Sequence, residues 1–212
     1  MATIEYLGHS CFLVRGEEDR FLTDPFGDIG YEMPKVKAGF VTISHGHYDH
    51  CNTIPVSGVK RVFTEPLPCM DGQVDGVLSY HDDKNGALRG ENVIFRFTVD
   101  GVTYAHMGDV GEPPRQELLD FLRGTDVLMI PVGGVYTIDA AGAKEYVDRI
   151  RPRLVFPMHY RDAECNIDLE PLDRFLALFR EEEIERARGR FDVNEALEEN
   201  DLPRVIALER RV

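Results

Sequence analysis

The segment Ser44-His45-Gly46-His47-Tyr48-Asp49-His50, with the pattern HxHxDH, holds the densest chemistry in the chain. It follows Phe40 to Ile43, a short apolar run with β-branched residues that reads as a strand. Side chains two apart at a strand end point the same way, so His45 and His47 can grip one cation. Gly46 permits close backbone approach as the chain turns. Asp49 and His50 come next, within reach of a second cation beside the first. Imidazole and carboxylate are ligands that zinc, manganese and iron accept. Three histidines and an aspartate within six positions stand out in a chain with only 7 histidines. A dinuclear site needs further histidines and a bridging carboxylate. His81, Asp109 and His159 supply them, each just past a strand candidate, where open α/β layers place their sites.

The elements that must position these residues change character along the chain. Thr3 to Val14 and Arg20 to Leu22 read as strands flanking the turn Arg15 to Asp19. Lys60 to Phe63 and Val74 to Tyr80 are further strand candidates, and Asp100-Gly101 between Asn92–Val99 and Val102–Met107 marks a hairpin. The second half alternates: helix Arg115 to Arg123, strand Val127 to Ile130, helix Asp139 to Ile150 capped near Ile138-Asp139, and strand Leu154 to Phe156. The spacing of Leu172, Phe175, Leu176 and Phe179 predicts a long charged helix from Glu170 to about Arg188, stopped by Gly189, with Glu181 to Glu183 on its solvated face. Arg204 to Leu208 reads as a final strand. Strands followed by helix–strand units predict a layered α/β arrangement in a single domain over residues 1–212.

With these residues in this order, the chain resembles the metallo-β-lactamase superfamily of metal-dependent hydrolases. The resemblance implies a four-layer αβ/βα sandwich with the metals at one edge between two sheets. It also implies roles: His45, His47 and His81 around the first metal, Asp49, His50 and His159 around the second, and Asp109 bridging. Tyr6 to Phe12, Thr23-Asp24-Pro25, His106 to Asp109, Arg89 to Asn92 and Gly133 to Thr137 are similar to a branch of short, lactonase-like hydrolases, in the style of ascorbate-6-phosphate lactonases. Only 31 positions separate His50 from His81, so the loops that commonly build a substrate pocket there must be short.

The expected cofactor is a pair of divalent ions, zinc first, with manganese or iron compatible. Such a pair lowers the pKa of a bridging water from 15.7 towards about 7, giving a hydroxide for attack on a small ester-like substrate: a lactone, phosphoester or thioester. Asp49 is then both ligand and acid/base. An iron-containing oxidoreductase on the same scaffold and a non-catalytic metal sensor are the alternatives. His47 stands where flavodiiron-type relatives carry a glutamate, which favours hydrolysis. Around this set, His106 is expected behind the ligands or in the core. Asp24 is expected to hold a ligand histidine in one tautomer. His9 either lines the site or makes a simple hydrogen bond. Asn92, Tyr136 and Tyr160, with Arg89 and Arg161, are candidate substrate contacts or packing residues. The net charge of −14 argues against nucleic-acid and anionic-membrane partners and leaves a small-molecule substrate. No apolar run approaches the roughly 20 residues of a membrane span. The start shows no secretory pattern, and Cys11, Cys51, Cys69 and Cys165 are far apart, so reduced thiols in a cytoplasm are expected.

Overall fold

A computed structural model describes residues 1–67, 74–199 and 203–211; Cys69 lies outside them. The first half supplies β1 (Thr3–Gly8), β2 (Cys11–Arg15), β3 (Arg20–Thr23), β4 (Val36–Lys37), β5 (Phe40–Thr42), β6 (Val56–Ser57) and β7 (Arg61–Phe63). There follow β8 (Val74–Tyr80), β9 (Glu91–Val99), β10 (Val102–His106), α1 (Gln116–Leu122), β11 (Val127–Pro131), α2 (Ala140–Ile150) and β12 (Leu154–Met158). The chain closes with α3 (Asp173–Leu176), a 3-10 turn (Glu181–Glu183), β13 (Ile184–Arg188), β14 (Arg190–Asp192), α4 (Val193–Glu199) and β15 (Arg204–Glu209). One mixed sheet runs β14-β1-β2-β3-β5-β7, the other β13-β15-β12-β11-β10-β9-β8, and β4 pairs β6 in a small ribbon.

Alternation along the strands builds the layers. Phe12 and Val14 of β2, Phe21 of β3, Phe95 and Phe97 of β9, Tyr104 of β10 and Phe156 of β12 share the core between the sheets. Phe97 stacks between Phe21 and Tyr104, with ring centroids 4.7 and 5.5 Å away. The intervening residues Ile94, Ala105, Leu128, Ile130 and Val155 face outward, against Leu118 and Leu122 of α1, Tyr146 and Val147 of α2 and Phe175 of α3. The outward residues of the first sheet, Leu13, Leu22 and Val41, meet Phe26, Ile29, Met33, Val36 and Ala38 instead. That outer face is therefore covered by the segment 26–38, whereas the second sheet carries helices. No helix among the described residues is long and apolar enough to cross a membrane.

Two expectations need correction. The stretch Thr3 to Val14 is two strands, broken at His9 and Ser10, with His9 at φ 54°. The long helix from Glu170 to Arg188 does not form. Leu172, Phe175, Leu176 and Phe179 do pack against the helical side of the second sheet, but the helix ends at Leu176. The acidic run Glu181–Glu183 forms the 3-10 turn, and Ile184–Arg188 pairs parallel with β15 at the sheet edge. Glu181 and Glu185 would repel one turn apart on a helix, while the edge offers a full backbone ladder. Gly189, at φ 71°, does not stop a helix; it carries the chain from β13 in one sheet to β14 in the other.

Candidate metal centre

Four strands deliver the predicted ligands to one edge of the sandwich: β5 leads to His45, β8 to His81, β10 to Asp109 and β12 to His159. Three donor groups form there among the described residues, one of which, Asp24 with His45 and His50, shares its histidines with the other two. The nitrogens of His45, His47 and His81 lie within 4.8 Å of one another, and so do the donor atoms of His9, Asp49, His50 and His159. Asp109 stands at the junction. Its Oδ2 is 3.1 Å from Nε2 of His159, 3.2 Å from His50, 3.3 Å from His81 and 4.0 Å from His45. All seven predicted ligands are thus brought together, and His9 joins them, its Nε2 3.1 Å from Asp49 Oδ2.

Four of the candidate ligands, His45, His50, His81 and Asp109, are held from behind. Asp24 is fully buried; its carboxylate accepts from Ser44 N at 2.8 Å, Ser44 Oγ at 2.5 Å and His50 Nδ1 at 2.9 Å. His50 therefore carries its proton on Nδ1 and turns Nε2 to the site. Ser44 Oγ also lies 2.9 Å from His45 Nδ1. His81 Nδ1 donates to the carbonyl of Tyr136 at 3.1 Å. Asn92, buried, accepts from Asp109 N at 2.9 Å and donates to Met107 O at 2.9 Å and Ser79 Oγ at 2.7 Å, fixing the turn that presents Asp109. Gly108 in that turn has φ 53°, and a Cβ there would collide with Asn92 and Ser44. His106 faces the other sheet: Nε2 donates to Ser10 O at 2.8 Å and Nδ1 accepts from Gly108 N at 3.2 Å. Tyr160 packs near Tyr6, 6.0 Å between ring centroids, beneath the site. Arg161 is exposed and pairs with Asp168 at 3.5 Å.

Among the described residues, four of the seven non-glycine positions with positive φ are at this centre: His9, Asp24, Val135 and His159. Such backbone costs on the order of 1–3 kcal/mol per residue and persists where the surroundings over-determine it. His159 N donates to His9 O at 2.8 Å, so two of the four hold each other.

The electrostatics suit cations. Burial, aided by the neighbouring His50 charge, lowers His45 to about 3, and burial with the His159 charge lowers His9 to about 4, so both stay neutral donors. Burial would lower His50 and His81 too, but Asp109, joined at His50 by Asp24 and Asp49, outweighs it and raises both. Burial opposes ionisation of Asp49 and Asp109, yet the surrounding imidazoles hold both below the usual carboxylate range. Nε2 of His45, Nε2 of His50 and Oδ1 of Asp109 are buried without a hydrogen-bond partner. Buried polar atoms are rarely left so, and these three are among the atoms that would coordinate a bound metal; Nδ1 of His9 and Nδ1 of His159 are also without a partner. The nitrogen and oxygen donor set fits zinc, manganese or iron.

In front of the ligands opens a pocket of about 570 Å³, walled by Tyr48, Arg89, Tyr136, Asn166, Ile167 and Asp168 with His47, Asp49 and His159 at its floor. The sequence model of the beta-lactamase superfamily domain matches residues 3–159, a span that contains every ligand above. The chain belongs to the metallo-β-lactamase superfamily. Within it, the chain falls among the UPF0173 metal-dependent hydrolases: one from Thermoplasma acidophilum is 31% identical over 201 residues, covering 81% of this chain and 88% of that protein. A crystal structure from Thermotoga maritima, ascribed to the Zn-dependent hydrolases of the superfamily, superposes with a TM-score of 0.80 at 31% identity over 100% of both chains. A diiron β-hydroxylase from Streptomyces venezuelae has a TM-score of 0.60 at 13% identity, covering 96% of this chain and 52% of that one. The superfamily fold alone therefore does not choose the metal or the reaction.

Of the residues sequence reading left open, His9 is at the ligands, Asp24, Asn92 and His106 support them, Tyr136 is in the pocket wall, and Tyr160 is packing. Missed altogether was Asp82, whose buried carboxylate organises the loop after His81; its only sequence signal is its place beside a ligand in Asp82-Asp83-Lys84-Asn85-Gly86, a turn composition.

Proposed function

We propose that this protein hydrolyses a small ester-like substrate, a lactone, phosphoester or thioester, with two divalent cations, zinc first among them. The observation that carries this reading is Asp109 Oδ2, set within 3.1–4.0 Å of imidazoles from both ligand groups. His45, His47 and His81 would hold one ion; Asp49, His50 and His159 the other; Asp109 would touch both. Such a pair, when bound, supplies Lewis acidity that brings the pKa of water towards about 7 and polarises an ester oxygen.

The chain's own residues do the rest. Asp49 lies at the pocket floor, 13% exposed at its side chain, with Oδ2 shared between His9 and His50. There, as a carboxylate, it would take a proton from the attacking water and pass that proton to the leaving oxygen or sulfur. His9 keeps the carboxylate from rotating away. The pocket volume suits a small molecule, and the −14 charge opposes a polyanion. The lactonase-like motifs favour lactones as the first substrates to screen. Reduced thiols at Cys11, Cys51 and Cys165 suit a cytoplasmic setting.

The test is metal analysis by inductively coupled plasma mass spectrometry on protein purified without chelator or nickel resin, followed by turnover of lactones, 4-nitrophenyl esters and bis(4-nitrophenyl) phosphate. About two zinc or manganese ions per chain, with turnover lost in Asp49→Asn, is the expected result. Two irons without hydrolysis would move the protein to oxidative chemistry. Failure to hold metal after reconstitution would overturn the dinuclear reading.

A further inference from the structure

We propose that Arg89 determines substrate specificity in this pocket by binding an anionic group, a carboxylate or phosphate, at a point remote from the bond that is cleaved. The inference rests on the hydrolase reading and deepens it to a substrate class: small esters that carry a second, negatively charged end.

Arg89 is the one lysine or arginine among the described residues lining the pocket. Most arginines of this acidic chain are consumed by carboxylates: Arg15 by Glu5 at 2.7 Å, Arg96 by Asp75 at 2.9 Å, Arg210 by Asp162 at 3.1 Å. No carboxylate among the described residues lies within 4.0 Å of the Arg89 guanidinium. Its Nη2 donates to the carbonyl of Val135 at 3.2 Å, and the group sits 5.8 Å from the ring centroid of Tyr136. A guanidinium has five N–H donors in a planar fork. One is used here, and the rest are free for a ligand in the pocket. Asp168, which also lines the pocket, lies 3.5 Å from Arg161 in an exposed pair.

The guanidinium is also held in register with the metal ligands. Asp82, directly after His81, accepts from the backbone N–H groups of Lys84 at 2.8 Å, Gly86 at 3.0 Å, Leu88 at 2.9 Å and Arg89 at 2.7 Å. The whole loop thereby hangs from one buried carboxylate adjoining a ligand. Across the pocket wall, His81 donates to the carbonyl of Tyr136, and Arg89 to that of Val135. Val135 is β-branched yet sits at φ 57°, a conformation such residues rarely adopt. Backbone strain of this kind marks a place where position is enforced. What it positions is the pair of carbonyls that tie Arg89 to His81. Tyr136 and Tyr48, 38% and 60% exposed, offer ring surface for the body of the substrate between its two ends.

The test uses matched probes with one leaving group: mono-4-nitrophenyl glutarate, which carries a free carboxylate, and neutral 4-nitrophenyl valerate. Metal-loaded wild-type protein is expected to favour the glutarate ester in kcat/KM. In Arg89→Gln the ratio of kcat/KM between the two esters should fall by about tenfold or more, the effect of losing hydrogen bonds to a charged group. The loss should be mainly in KM. Arg89→Lys, which keeps the charge without the fork, should fall between. A ratio unchanged in Arg89→Gln overturns the proposal. If neither ester is turned over, hydrolysis of this class fails, and Arg89 is read instead by calorimetric binding of glutarate and of inorganic phosphate to the metal-loaded protein. Tenfold weaker binding of either in Arg89→Gln supports the anion site and tells which anion it takes; equal binding in wild type and variant, or none in wild type, rejects it.

Discussion

Replacing Asp24 by Asn tests whether the support behind the ligands sets metal affinity. Asp24 does not line the pocket in front of the candidate ligands, yet it serves both ligand groups, His50 directly and His45 through Ser44 Oγ. Asparagine fits the position: φ 37° suits Asn about as well as Asp, the volume is the same, and the remaining oxygen can still accept from Ser44 N. What changes is the partner of His50 Nδ1. The new amide is neutral and, where its NH2 faces the ring, donates to Nδ1. That forces the His50 proton to Nε2, the atom the site needs bare. Substitutions of this kind typically cost about 10–100-fold in metal affinity, or about 1.4–2.7 kcal/mol. The structure places the expectation at the upper end for the group containing His50 and the lower end for the group containing His45, which feels the change one hydrogen bond further away. Zinc titration against a competing chelator resolves both constants, with circular dichroism confirming the fold. Affinities within about threefold of wild type at both sites would refute the reasoning.

His9→Asn suits φ 54° but is too short to reach Asp49; kcat on a 4-nitrophenyl ester should fall by about 10–100-fold with metal content retained, and an unchanged kcat removes His9 from the mechanism. Phe97→Ala removes the middle ring of the stack with Phe21 and Tyr104 and should cost about 3–5 kcal/mol in urea unfolding of the holoprotein; a loss below 1 kcal/mol would show that the sheets are held elsewhere. His50 and His81 have raised pKa values without metal, so binding must expel their protons. Apparent zinc affinity should therefore rise with pH until those folded values are passed, and calorimetry in buffers of different ionisation enthalpy should show proton release at neutral pH. The same shifts stabilise the metal-free protein below about pH 6.5, the unfolded histidine value, and that contribution is lost as pH rises through the folded values.

The candidate ligands could be picked out because their information is local. His45 to His50 is one contiguous motif, and His81, Asp109 and His159 each end an apolar run whose period names a strand. His9 was ambiguous because Gly8-His9-Ser10 lies inside what reads as continuous strand; the turn there depends on Tyr6 Oη donating to His9 O and on the β1–β2 register shift, neither of which a local pattern encodes. The long C-terminal helix failed for the opposite reason. Its local signal, four apolar residues at helical spacing, is real and buries one face, but the fate of Ile184–Arg188 is decided by β15, some twenty residues further on. The cover of the first sheet was invisible for the same cause: Phe26, Ile29 and Met33 have helical spacing, but Pro25, Gly27, Gly30 and Pro34 interrupt it, and only the outward faces of β2, β3 and β5 give them somewhere to pack.

The ligands come from both halves of the chain, and the two sheets are stitched at the edge where those ligands meet. His106 Nε2 reaches Ser10 O at 2.8 Å, His159 N reaches His9 O at 2.8 Å, and Val93 N reaches Ser44 O at 2.9 Å. Each bond joins a segment of the first sheet to one of the second within a residue or two of a ligand or its support. These bonds fix the spacing of the two candidate ligand groups through the fold itself. This is the opposite of a small zinc domain, where metal binding and folding are one event. The core of Phe12, Phe21, Phe97, Tyr104 and Phe156 closes beneath the site without any contribution from it. The positive-φ strain at His9, Asp24 and His159 must be met by that core and by the cross-sheet bonds. A centre prepared in this way leaves little reorganisation for catalysis, because the dipoles and charges are already aimed when substrate arrives. The segments in front of the candidate ligands contribute Arg89, Tyr136 and Tyr48 to the pocket lining, the positions from which the proposed recognition of substrate would be made.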